Sequence, residues 1–141
     1  MRPCWAIPIV IASLAACRSE SPEAQIQKAF DGCVKAIEVS DVSSAVEPLS
    51  PSFAGPEGMG RDEAKLYLLG LLKQEKIGIT VLSSRIEAKG SQGQQAVELL
   101  LTSRSGSGLL PQDASRRLFQ LRWERIKGDW RLRSLEEVRT P

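Results

Sequence analysis

The chain has 141 residues, 42% of them hydrophobic and 26% charged, which is the make-up of one ordinary domain, and nothing suggests a second. Nineteen basic residues against seventeen acidic ones give a net charge of +2, without the clustered excess a nucleic-acid surface needs, so nucleic acid is set aside as a partner. Histidine is absent, which removes the commonest neutral-pH acid/base group and the commonest metal ligand, so no metal site and no cofactor is expected.

The chain opens on Arg2 and a positive amino terminus, followed by the apolar run Ala6 to Ala16 (AIPIVIASLAA). That is the length of the apolar core of an export signal, and it falls short of the ~20 residues needed to cross a bilayer. In ASLAACRSES the run stops at Cys17 and turns polar. Leu14-Ala15-Ala16-Cys17 resembles the lipobox of bacterial lipoproteins, whose signal is cut just before a cysteine that carries diacylglycerol on its thiol. The resemblance implies cleavage between Ala16 and Cys17, lipidation of Cys17, and anchoring of the protein to a membrane of the bacterial envelope. Two or more acyl chains hold stably where one is marginal. Arg18, where an aspartate would signal retention at the inner membrane, implies the periplasmic side of the outer membrane if the cell has two membranes. The alternative is an ordinary secretory signal cut nearby, for example after Ala15, with Cys17 a bystander. On the lipoprotein reading residues 1–16 are a signal helix, 17–21 a short tether, 22–138 the folded domain and 139–141 a tail.

Ser21 is a good N-cap, Pro22 suits a first turn and Glu23 faces the positive helix end, so the first helix is expected from Pro22 to about Val39. Its apolar stripe is Ile26, Ala29, Phe30, Cys33 and Ile37, which makes Cys33 a small buried hydrophobe rather than a reactive thiol. Cys4 leaves with the signal, and a lipidated Cys17 would leave Cys33 no partner for a disulfide within one chain. Asp41 caps a short second helix through Ala45 and Val46, ended by Pro48. PLSPSFAGPEGMG reads as turn and connector, because its glycines lack both a preceding strand and the Gly-Lys-Ser/Thr of a phosphate loop. Arg61 to Glu75 forms the third helix on Ala64, Leu68, Leu71 and Leu72, with Leu66 and Leu69 widening the apolar surface so far that both sides are expected to be covered.

From Lys76 the apolar period becomes two. Ile77, Ile79 and Val81 alternate, and Leu82, Ile86 and Ala88 continue one residue out of phase, as a β-bulge requires. KGSQGQ turns the chain into Ala96 to Ser103, where Val97, Leu99 and Leu101 share a face. RSGSGLLPQDAS is a long irregular connection, and Arg116 to Lys127 follows with Phe119, Leu121 and Trp123 on one face. Lys127-Gly128-Asp129 closes a tight hairpin into Trp130 to Val138. Three helices followed by about four strands make an α+β plan, helices packed on a curved antiparallel sheet.

This order, with LSPSFAG before the third helix and WERIKGDWRLRSLE at the end, resembles the nuclear transport factor two-like superfamily, a cone-shaped α+β fold of the cystatin-like kind shared with ketosteroid isomerase. The resemblance covers roughly residues 22–138 and implies a site in the hollow between sheet and helices, lined here by Phe53, Tyr67, Phe119 and Trp123. Enzymes of the isomerase type place a carboxylate base and a hydrogen-bonding acid in that hollow. Tyr67 is the only tyrosine, and Glu87, Glu98 and Glu124 fall on the faces opposite the apolar residues, so no catalytic set matches residue by residue. Arg116, Arg122, Arg131 and Arg133 offer a cationic sheet face for an anionic partner, although Glu124, Asp129, Glu136 and Glu137 lie among them and cross-strand ion pairs explain the pattern equally.

The superfold hosts enzymes, binding modules and oligomerisation modules alike, so three readings follow. The first is a lipid-anchored, non-catalytic envelope module that binds a small apolar ligand or an envelope protein. The second is a membrane-tethered isomerase or dehydratase using Tyr67 in the cone. The third is a structural homodimer paired through the sheet.

Overall fold

The computed structural model describes residues 20–103 and 115–139. Cys17, the expected signal helix over 1–16 with its lipobox-like end, and most of the RSGSGLLPQDAS connection lie outside the described residues. The elements follow as α1 (Pro22–Glu38), α2 (Val42–Val46), β1 (Leu49–Ala54), a 3-10 turn (Pro56–Gly58), α3 (Arg61–Gln74), β2 (Ile77–Lys89), β3 (Gln92–Ser103), β4 (Ser115–Ile126) and β5 (Asp129–Glu137).

Local chemistry sets most boundaries. Ser21 caps α1 by accepting from the Ala24 amide at 3.2 Å, and Asp41 caps α2 by accepting from the Ser44 amide at 3.2 Å. Both hydrogen bonds from Ser44, side chain first and backbone second, hold the Asp41 carboxyl below its ordinary range. At the last hairpin Lys127 and Gly128 both take positive φ, 50° and 85°, the geometry of a two-residue turn whose twist matches the strands it joins.

The sheet has five strands in the order β1-β5-β4-β3-β2, antiparallel except where β1 lies parallel to β5. The sequence pattern predicts about four strands with LSPSFA as part of a connector, and the structure has a fifth strand there. Leu49 pairs with Leu132 and Ala54 with Ser134, so this segment is an edge strand. Pro51 is tolerated there because an edge leaves one row of amides unpaired in any case. The phase change in β2 is the expected bulge: the register to β3 shifts between Val81 and Ser83, which returns Ile86 and Ala88 to the face shared by Ile77 and Ile79.

Alternation divides the sheet into two faces. Gly93, Gln95, Val97 and Leu99 of β3 point inward with Leu121 and Trp123 of β4, while Glu98, Arg116, Gln120 and Arg122 point outward. Ile26 and Phe30 of α1, Phe53 of β1 and Ala64 of α3 pack on the inner face in one core. The approach of α1 is close: a Cβ added at Gly93 would lie 2.5 Å from Ile26 Cδ1, so a glycine is what lets the helix seat.

Helix α3 takes the chain from β1, one edge of the sheet, to β2, the other. Ala64, Leu68 and Leu72 face the core, and Leu66 and Leu69 are exposed, Leu66 by 69%. The expectation that both sides of α3 are covered is therefore corrected. Its inward stripe is satisfied by α2 and β1, and no described element packs on the opposite side.

Candidate functional site

The concave side of the cone is the place to look for chemistry, and it is filled. Trp123 is 2% exposed and Phe53 is buried beside it in the core, with Phe119 half-buried against them. Tyr67 is 57% exposed on α3 and stands outside that core, so the structure brings together three of the four residues expected to line the hollow. The reason is rotational: the inward stripe of α3 is Ala64, Leu68 and Leu72, and position 67 lies off it.

The polar groups of this side satisfy one another in a chain. The Trp123 indole donates to Gln95 Oε1 at 3.0 Å, Gln95 Nε2 donates to Ser84 Oγ at 3.0 Å, and Ser84 Oγ donates to Gln27 Oε1 at 2.8 Å. Gln27 Nε2 then donates to Asp31 Oδ1 at 2.8 Å. The chain runs from a buried indole to an exposed carboxylate, and Gln95 at its centre is fully buried. Sequence reasoning missed Gln95. The signal was present, because Gln95 sits two residues before Val97, Leu99 and Leu101 and so shares their face.

Cys33 is half-buried on the apolar side of α1. Desolvation, with a smaller push from the Glu47 charge, raises its thiol to about 11, which keeps it protonated and unreactive at neutral pH.

The arginine series is largely engaged. Arg116 pairs with Glu98 through its Nε, and that hydrogen bond, followed by the Glu98 charge, raises the guanidinium pKa. Arg131 reaches the Glu47 backbone carbonyl at 2.7 Å and the Glu47 carboxylate at 3.3 Å, and Asp129 lies 3.9 Å away. Arg133 lies 3.9 Å from Glu124, whose other oxygen accepts from the buried Ser50 hydroxyl at 2.6 Å. Arg122 alone of the four has no ion pair among the described residues. Three of the four arginines expected to form an open cationic face are thus in ion pairs, Arg116 and Arg133 across strands and Arg131 with the end of α2 and with its own strand.

What remains open is at the rim. Where β4 begins and β5 ends, a cleft of about 720 Å³ is bordered by Glu98, Arg116, Arg117, Leu118, Glu137 and Arg139. Arg117 donates to Glu137 at 2.8 Å across the two strands. A second, smaller cleft of about 340 Å³ lies between α1 and the last hairpin, beside Gln25, Lys28 and Trp130.

No family model and no curated protein sequence matches the chain. Solved structures do. A nuclear transport factor two-like protein of unknown function from Pseudomonas putida superposes with a TM-score of 0.72 at 9% identity, over 84% of this chain and 86% of that one. A protein from Streptomyces avermitilis, proposed to be a dehydratase of the same family, gives 0.72 at 14% identity over 84% and 96%. A cystatin-like protein of unknown function from Nostoc punctiforme gives 0.66 at 13% identity over 81% and 87%. The domain therefore has the nuclear transport factor two-like cone fold. At these identities the likeness speaks for the fold alone.

Proposed function

We propose that the chain is a non-catalytic binding module of the bacterial cell envelope, held to the membrane by a lipidated Cys17 and receiving a small apolar ligand or a protein partner at the open rim of its cone or on its sheet. The observation that carries the non-catalytic reading is the position of Tyr67, the only tyrosine, 57% exposed on α3 and away from the core. Carboxylates on α1 and at the end of β5 also have other engagements: Asp31 accepts from Gln27, Glu137 from Arg117, and Glu23 from the Ala88 amide at 3.4 Å. A general base in such an enzyme would need an unengaged carboxylate facing the reacting carbon. The Arg116–Glu98 and Arg133–Glu124 pairs on the outer sheet face favour ligand or partner binding over a dimer paired through that face.

The anchor reading is supported by Leu14-Ala15-Ala16-Cys17, which resembles a lipobox at the end of a run that resembles an export signal, a few residues before the Ser21 cap of α1. The test is metabolic labelling with an alkyne fatty acid, comparing wild type with Cys17→Ser after membrane fractionation. Label on wild type alone, with the variant accumulating uncut, is the expected result. Unlabelled, soluble protein from both would remove the anchor.

A further inference from the structure

We infer that the rim cleft at the start of β4 and the end of β5 is a binding site for a small organic anion, a carboxylate carried on an apolar body. This deepens the binding-module reading and rests on it. Among the described residues the cleft holds three arginines, Arg116, Arg117 and Arg139, against two glutamates, Glu98 and Glu137, so one positive charge is left over (3 minus 2). Each glutamate engages one arginine and uses only part of it. Arg116 gives its Nε to Glu98, which leaves both terminal nitrogens, and Arg117 gives one terminal nitrogen to Glu137, which leaves the other. Arg139 has no ion pair among the described residues.

The two pairs do more than neutralise. Glu98 and Glu137 are the less exposed members, at 18% and 30% of their side chains, so they hold the guanidinium groups from the protein side and leave the spare N–H donors toward solvent. A guanidinium with a free edge takes a carboxylate by two parallel hydrogen bonds, which a point charge such as lysine does not. Arg117 pairs in register with Leu99 and Arg116 with Leu100, so the two arginines flank the end of the sheet from its inner and outer faces. Leu118 and Val138, joined by a 2.8 Å bond from the Val138 amide to the Leu118 carbonyl, give the cleft an apolar wall. At about 720 Å³ the volume lies within the range of small-molecule sites.

The test is calorimetric titration of the purified full chain with 4-phenylbutyrate and, separately, with its neutral amide. Binding of the carboxylate with the amide at least tenfold weaker is expected, as is about a tenfold loss in Arg139→Gln, from one charge-assisted contact removed. Arg139 is the first variant because it has no described ion pair to break, and Arg117→Gln is the second, with its melting temperature measured alongside. Arg122→Gln, on the outer sheet face, leaves affinity unchanged. Equal affinity for carboxylate and amide overturns the proposal, as does binding that survives both cleft variants, or no binding of the carboxylate at all. Amide binding untouched by the arginine variants would remove the anion site while leaving an apolar-ligand module, so the two readings fail separately.

Discussion

The two faces of the sheet use the same strands in opposite ways. On the inner face Val97, Leu121 and Trp123 are buried against α1, and the polar atoms among them are hydrogen-bonded to each other. On the outer face the neighbours one residue along, Glu98, Arg122 and Glu124, meet solvent, and the two glutamates pair with Arg116 and Arg133. One side is held by removal from water, the other by charges that water screens. Stability is expected to be concentrated in the first, and recognition is free to use the second and the rim where the two meet.

The largest effect that sharpens this contrast comes from Trp123→Ala, expected to cost about 3–5 kcal/mol in urea unfolding through lost contacts and a cavity. A cost under about 1 kcal/mol would mean the inner face is loosely packed. Next is Gly93→Ala. Its new methyl meets Ile26, itself fully buried and unable to swing away, so a loss of about 1–3 kcal/mol by overpacking is expected. An unchanged melting temperature would show that α1 rides free of the sheet. Gln95→Leu, which leaves the Trp123 indole without its acceptor, should cost about 1–3 kcal/mol, and a neutral result would mean that water replaces the amide.

Cys33 tests the same burial by pH. Its thiol binds a proton more tightly in the fold, with a pKa of about 11 against an ordinary 9.0, so its share of stability is intact below pH 9 and is lost as pH climbs through about 11. Cys33→Ala should flatten that alkaline slope, and an identical slope in the variant would assign it to another group. The smallest effect belongs to the outer face. Arg133→Gln, removing an exposed pair at 3.9 Å, should change stability by at most about 0.5 kcal/mol, and a drop several times larger would make the charged face structural.

Much of this architecture was legible because it is local. The Ile26, Phe30, Cys33 spacing announced α1, the phase slip after Val81 announced the bulge, and Lys127-Gly128 announced the last hairpin. Strand β1 escaped because its partner, β5, lies some eighty residues away in parallel, and its proline and two serines imitate a turn. The site was harder. Tyr67 was placed by family likeness, whereas its real position depends on the rotation of α3, which an apolar sequence on nearly every side does not specify. Arg117 and Arg139 gained a role only when the ends of β4 and β5 were seen side by side, a neighbourhood set by register.

The position of α1 has one more consequence. Its first turns sit by the hairpin tips, with Glu23 on Ala88 and Gln25 accepting from the Trp130 indole at 3.0 Å, while the rim cleft lies at the other end of β4. From Arg125 to Arg117 is eight strand steps, roughly 25 Å at about 3.3 Å each. On the anchor proposed at Cys17, which is separated from α1 by four residues, the hairpin end of the domain would face the bilayer and the rim arginines would face away from it. A molecule reaching them would come from the aqueous compartment rather than sideways out of the lipid.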